Sequence, residues 1–403
     1  MSTRSRAVPT SSKLSTPPSS PCCEWDTVAL VLQGGGALGS YQAGVVEGLL
    51  EAGIEPDWVA GISIGALNSA IIAGNAPEHR LSRLQGFWET ICSPPRGLSL
   101  GALPSNPLAQ SLHTPVSKVR SALEASLTLA MGQNGFFNPR GISPWLGLDE
   151  PVTEVSFYDT SVLKSTLERF VDFDRINAGL MRVSVGAVDV QTGNFTYFDN
   201  THGPAKGCMR PEHFMASGAL PPGFPAVEVQ GRYYWDGGLV SNTPLAEVLH
   251  AKPRRNTLTF QVDLWSAKGP LPTNVFDAQE RQKDIQYSSR TRAITDVMQH
   301  QQRNRHMLRE LLELIPEKER LTNPWCQQAA EEACSRQYAV LHLIYQDKEW
   351  ESNAKDYEFS FQTMQTHWHT GLKDIRHTLS HPDWLCLPPD GQEFVTYDQH
   401  RSG

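Results

Sequence analysis

The chain has 403 residues, with 35 Lys+Arg against 43 Asp+Glu and a formal net charge of -8. That length allows two or three average domains, or one large α/β domain with an appendage, and the acidic balance argues against a nucleic-acid partner. No run approaches the ~18 uninterrupted apolar residues of a membrane-spanning helix, and seven cysteines, scattered singly apart from Cys22-Cys23, fit a reduced, cytoplasmic chain better than a disulfide scaffold.

Residues 1–24 read as a disordered tail of net charge +2, rich in Ser, Thr and Pro. They lack the apolar stretch of a Sec-type signal peptide. Arg and Ser without acids is also the composition of a mitochondrial transit peptide, but the prolines oppose the amphipathic helix that such a peptide needs. Order begins at Trp25. Residues 27–33 form a short apolar run, the mark of a strand buried on both faces. Residues 34–39 are a turn, 40–52 a helix stopped by Gly53, 57–62 a second strand and 65–73 a second helix. This βαβα order predicts a parallel sheet with helices on its faces.

Each strand-to-helix turn carries a motif. Gly34, Gly35, Gly36, Ala37, Leu38 and Gly39 satisfy G-x-G-x-x-G, which in a dinucleotide-binding unit needs an acid at the end of the next strand. Here the next strand ends Gly61-Ile62-Ser63, and its acid, Asp57, lies at the opposite end. What the glycines offer is bare backbone N–H groups at a helix N-terminus, suited to an anion. The second turn, Gly61-Ile62-Ser63-Ile64-Gly65, is G-x-S-x-G. The ordinary alternative is a glycine-rich βα turn, but a strand before it and a helix after it are the context of a nucleophile elbow. Both turns fall at one sheet edge, so one can present a nucleophile and the other the donors for an oxyanion. An α/β-hydrolase usually places its oxyanion loop further upstream and needs a late histidine, so this compressed layout differs.

Gln33-Gly-Gly-Gly-Ala-Leu-Gly39, Gly61-Ile-Ser63-Ile-Gly65, Ala216-Ser-Gly-Ala-Leu-Pro-Pro-Gly-Phe-Pro-Ala-Val227 and Asp236-Gly237-Gly238, in that order, resemble the patatin-like phospholipase family over roughly residues 27–250. The resemblance implies a three-layer α/β/α sandwich with a mainly parallel central sheet. It implies Ser63 as nucleophile, Asp236 as its base and the N–H groups of Gly34 to Gly39 as the oxyanion hole. The implied activity is hydrolysis of lipid acyl esters, with no metal and no cofactor. The chemistry is consistent with that reading: a serine hydroxyl needs a base, and an aspartate, with an ordinary pKa near 3.9, serves at neutral pH only if desolvation raises it. Trp235 beside Asp236, with two glycines after it, suits a dry site. The alternative for Asp236 is a turn-capping residue in an Asp-Gly hairpin.

Other polar residues have plainer readings. Asp189 falls at a predicted Gly/Asn hairpin turn and is expected to be structural. His367 and His369 lack further ligands for zinc, and neither His250 nor His300 is marked as a triad member. Residues 96–146 hold only five charged side chains: Arg96, Lys118, Arg120, Glu124 and Arg140. Val116, Val119, Leu123, Leu127 and Met131 recur there at helical spacing, followed by Phe136, Phe137, Trp145 and Leu146. This is either a cap that meets acyl chains or a bilayer, or a core-facing helix with an irregular excursion. The catalytic domain is expected over 25–265 and a mainly helical C-terminal extension, as in some bacterial patatin-like proteins, over 266–403. Within the extension, residues 276–314 read as one long or two joined helices and 338–345 as a strand. Arg290, Arg292, Arg303, Arg305 and Arg309 form a basic run, either a solvated helix face or a contact for anionic head groups.

The expected function is a serine acyl-hydrolase acting on a lipid or phospholipid substrate, peripherally at a membrane or lipid droplet. An acyltransferase or lysophospholipid esterase would share every motif. A catalytically silent lipid-binding scaffold would not need both Ser63 and Asp236. The sequence carries no signal for oligomeric state.

Overall fold

A computed structural model describes residues 24–93, 125–289, 291–346, 355–389 and 391–398. The expectations for residues 1–23, for Val116, Val119 and Leu123, and for Arg290 lie outside the described residues.

Nine strands form the central sheet: β1 (Thr27–Leu32), β2 (Trp58–Gly61), β3 (Arg182–Asp189), β4 (Phe195–Asp199), β5 (Val227–Val229), β6 (Arg232–Asp236), β7 (Thr257–Asp263), β8 (Tyr338–Ile344) and β9 (Phe394–Asp398). Their order is β9-β8-β7-β1-β2-β3-β6-β5, with β4 paired to β3. Pairing is parallel from β9 through β3, and antiparallel where β4 and β6 meet β3 and where β5 meets β6. Helices α1 (Ser40–Glu51), α2 (Ile64–Ala73), α3 (Pro77–Ile91), α4 (Pro211–Ser217), α5 (Val275–Tyr287), α6 (Thr291–Glu313), α7 (Pro324–Glu332) and α8 (Phe361–Leu379) flank it.

Period-2 alternation sends successive β1 side chains to opposite faces. Leu30 and Leu32 join the larger core cluster, with Val45, Leu67, Trp88 and Trp368 from α1, α2, α3 and α8. Ala29 and Val31 join a smaller cluster on the other face, with Leu245, Val248 and Met298. Two apolar layers around one sheet make a three-layer sandwich, and each fully buried Leu contributes roughly 1.5–3 kcal/mol to holding it. Where α1 crosses α8 the backbones nearly touch. A Cβ on Gly44 would lie 1.9 Å from Trp368 O, and one on Gly371 would lie 2.0 Å from Tyr41 O.

The chain beyond residue 265 is mainly helical and also returns to the sheet. β8 pairs with β7 from Tyr338↔Thr257 to Ile344↔Asp263, and β9 pairs with β8. The segment therefore shares the sheet and core of residues 25–265. The hairpin of β3 and β4 is as expected, and Asp189 caps its turn by accepting from Gln191 N (3.0 Å) and Thr192 N (2.9 Å). Among the described residues, no helix is long and apolar enough to cross a membrane.

Candidate active site

Three chain turns converge. β1 leads into Gly34–Gly36, β2 into Ser63, and β6 into Asp236. Ser63 has φ 55 and ψ -123, a conformation costly for a residue with a side chain, and it is followed at once by α2. The flanking glycines are required by close approach: a Cβ on Gly61 would lie 2.3 Å from Gly65 O, and one on Gly65 would lie 2.3 Å from Leu32 O. The end of α4 braces the elbow, because Ser63 N donates to Ser217 O and to Ser217 Oγ, both at 3.1 Å. The same block holds Asp236, whose N donates to Ala219 O at 2.9 Å.

Asp236 is 2% exposed. Gly238 N donates to Oδ1 at 2.7 Å, and the Ser63 side chain lines the same cavity and, as a hydrogen-bonding neighbour, favours the charged carboxylate. Burial disfavours the charged form and raises the pKa from 3.8 to about 7, against the pull of these two hydrogen bonds. The aromatic wall is not the one expected. Trp235 is absent from the residues lining the cavity, because adjacent strand positions face opposite ways. Trp265 and Tyr287, joined by Tyr357 and Phe359, form the wall instead.

The glycine turn is fixed by contacts from distant segments. Gly34 N donates to Asn242 O at 3.2 Å, while Gly34 O accepts from Asn242 Nδ2 (3.0 Å) and Trp265 Nε1 (2.9 Å). Gln33 Oε1 accepts from the backbone N–H of Leu264 (2.6 Å) and Trp265 (2.9 Å). Leu38 N donates to Gly35 O at 3.2 Å. The set of donors expected over Gly34 to Gly39 therefore narrows, since Gly34 and Leu38 are already bonded. The N–H groups of Gly35, Gly36 and Ala37 have no partner among the described residues. Gly36 has φ 56, and a Cβ there would lie 2.2 Å from Asp356 O, so the segment after residue 354 seats the turn from outside. Gly237 packs against Gly186 O, where a Cβ would lie 2.5 Å away, and Gly238 supplies the donor to Asp236.

A cavity of about 70 Å³ opens over Ser63, Asp236 and the glycine turn, walled by Phe136, Phe137, Leu220 and Phe224 among others. It has room for only a few waters and falls well below the ~300–1,000 Å³ of sites that enclose a ligand, so an acyl chain enters only if this wall shifts. Phe136 and Phe137 belong to the expected cap, and both touch Phe224 through edge-on or tilted ring contacts of 5.7 and 5.2 Å. Trp145 and Leu146 point outward instead. Among the described residues, no histidine lines the cavity. His250 and His300 are exposed, His367 is buried against Tyr345, and His369 is exposed two residues on. Among the described residues, no group of three or more His, Cys, Asp or Glu is placed to hold a metal.

Sequence reasoning missed Asn242, Trp265, Tyr287, Asp356, Tyr357 and Phe359, none of which lies in a recognisable motif. Asn242, six residues after Asp236, had the best local signal.

A strained serine turn at the C-terminal end of a parallel sheet thus shares one largely apolar cavity with a buried carboxylate. A sequence model described as Patatin-like phospholipase matches residues 30–249, and one described as Patatin phospholipase matches residues 285–391. The chain belongs to the patatin-like phospholipase family, a family of lipid ester hydrolases. Lysophospholipase nte1 of Aspergillus terreus is 54% identical over 50 residues, which are 12% of this chain and 3% of that protein. Among solved structures, VipD of Legionella pneumophila aligns over 88% of this chain and 67% of its own, with TM-score 0.39 and 13% identity. Human GIVD cytosolic phospholipase A2, solved with methyl gamma-linolenyl fluorophosphonate, aligns over 89% and 59%, with TM-score 0.31 and 13% identity.

Proposed function

We propose that this chain hydrolyses lipid acyl esters through a Ser63–Asp236 dyad. The observation that carries the reading is that Ser63, on a strained elbow, shares one cavity with the buried Asp236 carboxylate, whose pKa burial raises to about 7, near the pH at which it must work. Asp236 takes the Oγ proton as Oγ attacks the ester carbonyl carbon. The carbonyl oxygen then carries negative charge facing the N–H groups of Gly35, Gly36 and Ala37. Protonated Asp236 gives its proton to the departing alcohol oxygen, leaving an acyl group on Ser63. A water, deprotonated by Asp236, attacks the acyl carbon and frees the acid, and the proton returns to Ser63.

The lipid arrives from a surface. Segments framing the cavity carry exposed apolar side chains: Ile142, Trp145 and Leu146 at 74, 75 and 62% exposure, and Leu239 and Val240 directly after the Asp236 turn. Such a rim suits peripheral contact with a membrane or lipid droplet, on the cytoplasmic side. A fluorophosphonate probe tests the nucleophile: labelling is expected in the intact chain and lost in Ser63→Ala. Labelling that persists in Ser63→Ala overturns the assignment.

A further inference from the structure

A second cavity, of about 590 Å³, lies at the other end of the sheet. Arg254 and Arg336 come from the segments entering β7 and β8, whereas the glycine turn and Ser63 follow the C-terminal ends of β1 and β2 in the same parallel array. Seven residues of β7 separate the two ends, roughly 20 Å of strand. The cavity is lined by Lys252, Arg254, Arg309, Arg320 and Arg336, with Glu313 and Glu331 as the acids among its lining residues. With Glu332 and Asp26, which pair with three of the cations, five cations there meet four acids, a balance of +1 in a chain whose total is -8.

Four of these cations have partners. Arg254 pairs with Glu332 at 2.7 Å and Lys252 with the same carboxylate at 3.8 Å. Arg309 pairs with Glu313 at 3.3 Å, and Arg336 with Asp26 at 3.5 Å. Arg320 has none among the described residues: its Nε is buried and donates no hydrogen bond. Four guanidinium groups from four separate segments thus meet at one opening, and one of them is held there with a buried donor unused. Buried donors ordinarily find an acceptor, and guanidinium forks match the oxygens of phosphate.

We propose that this cavity binds a multiply charged phosphate group, independently of the catalytic site. A single carboxylate would fill little of the volume and meet few of the donors, whereas a polyvalent phosphate offers acceptors to several forks at once. The group comes either from a soluble phosphate compound or from a lipid head group.

The test uses the full chain carrying Ser63→Ala, so that no turnover intervenes. Calorimetric titration with sodium tripolyphosphate at near-physiological salt probes the soluble source. Flotation with phosphatidic acid vesicles, against phosphatidylcholine vesicles, probes the lipid source. Saturable binding in either arm is expected, weakened about tenfold or more by Arg320→Gln and unchanged by Arg303→Gln, on the exposed face of α6 outside the cavity. Should Arg320→Gln melt below the parent, Arg309→Gln takes its place, since Arg309 is half exposed and tolerates change. Absence of saturable binding in both arms overturns the proposal. So does binding that Arg320→Gln and Arg309→Gln leave unaltered.

Discussion

Asp236→Asn separates the electrostatics of the base from its packing. The replacement is nearly isosteric. The new Oδ1 still accepts from Gly238 N, while Nδ2 turns to Ser63 Oγ as a donor, so the serine hydroxyl keeps a partner only by accepting. What disappears is the ionisation. Asp236 is protonated in the folded chain up to about pH 7, whereas its unfolded counterpart loses the proton near 3.8. Between those values the folded state holds more protons than the unfolded one, so stability falls as pH rises through the window and levels off above it. From pH 5 to pH 8 the wild type should lose roughly 3 kcal/mol that the neutral variant keeps. For a chain of this size that is about 3–4 °C in melting temperature. Every other titrating group is common to both proteins and cancels in their difference.

The assay is a melting curve for wild type and Asp236→Asn at pH 5 and pH 8, beside kcat/KM for a soluble ester across the same range. Log kcat/KM should rise with unit slope below pH 7 and flatten above it. Asp236→Asn should lose about 10²–10⁴-fold in activity while its melting temperature gains on wild type with pH. A melting difference that is equal at pH 5 and pH 8 would show that Asp236 ionises as an ordinary carboxylate, and the reasoning would fail.

Gly36→Ala should lower fluorophosphonate labelling about 10²–10³-fold, because its Cβ would meet Asp356 O and displace a donor from the oxyanion site; wild-type labelling would refute that placement of the turn. Trp145→Ser with Leu146→Ser should reduce binding to phosphatidylcholine vesicles and hydrolysis of vesicle substrate, with a soluble ester cleaved as before; an equal loss on both substrates would remove the rim from surface binding. Lys355→Met should destabilise the chain by about 3 kcal/mol in chemical denaturation, since buried Asp284 (3.0 Å) would lose its nearest cation and keep only Arg281 at 3.7 Å. A change under about 0.5 kcal/mol would make that pair dispensable.

The turns carrying Ser63 and Asp236 were legible because the local geometry of each restricts its neighbours. Gly61 and Gly65 are forced by backbone contacts within a few residues of Ser63 or with the adjacent strand end, so their spacing is written into the sequence. Which N–H groups of the glycine turn remain open was not legible, because Gly34 N is taken by Asn242, more than two hundred residues on. The aromatic wall failed for a related reason. Proximity in sequence suggested Trp235, but strand alternation turns it away, and Trp265 arrives from the end of β7. The β8 strand announced itself as an apolar run. β9, Phe394–Asp398, is short and partly exposed, and gave no comparable signal.

The proposed base is a carboxylate with no histidine beside it among the described residues, and the charges around it bear on its pKa. Two lysines stand close to the site, and either one unpaired would favour ionised Asp236 and lower its pKa. Each is matched: Lys283 by Asp356 at 2.9 Å, and Lys355 by Asp284 at 3.0 Å and Glu280 at 3.5 Å. The causes acting on Asp236 are burial and two hydrogen bonds, with no charged group among them. Tyr287 feels both Asp236 and Asp356, which raise its pKa after burial, so the two carboxylates act within one field. Asp356→Asn therefore frees the Lys283 charge and removes a negative one in the same step. Both changes favour the ionised base, and the rise in kcat/KM should move toward acid by roughly 0.5–1 pH unit. A midpoint that stays at the wild-type pH would mean that water screens the lysines, and that dryness alone sets the base.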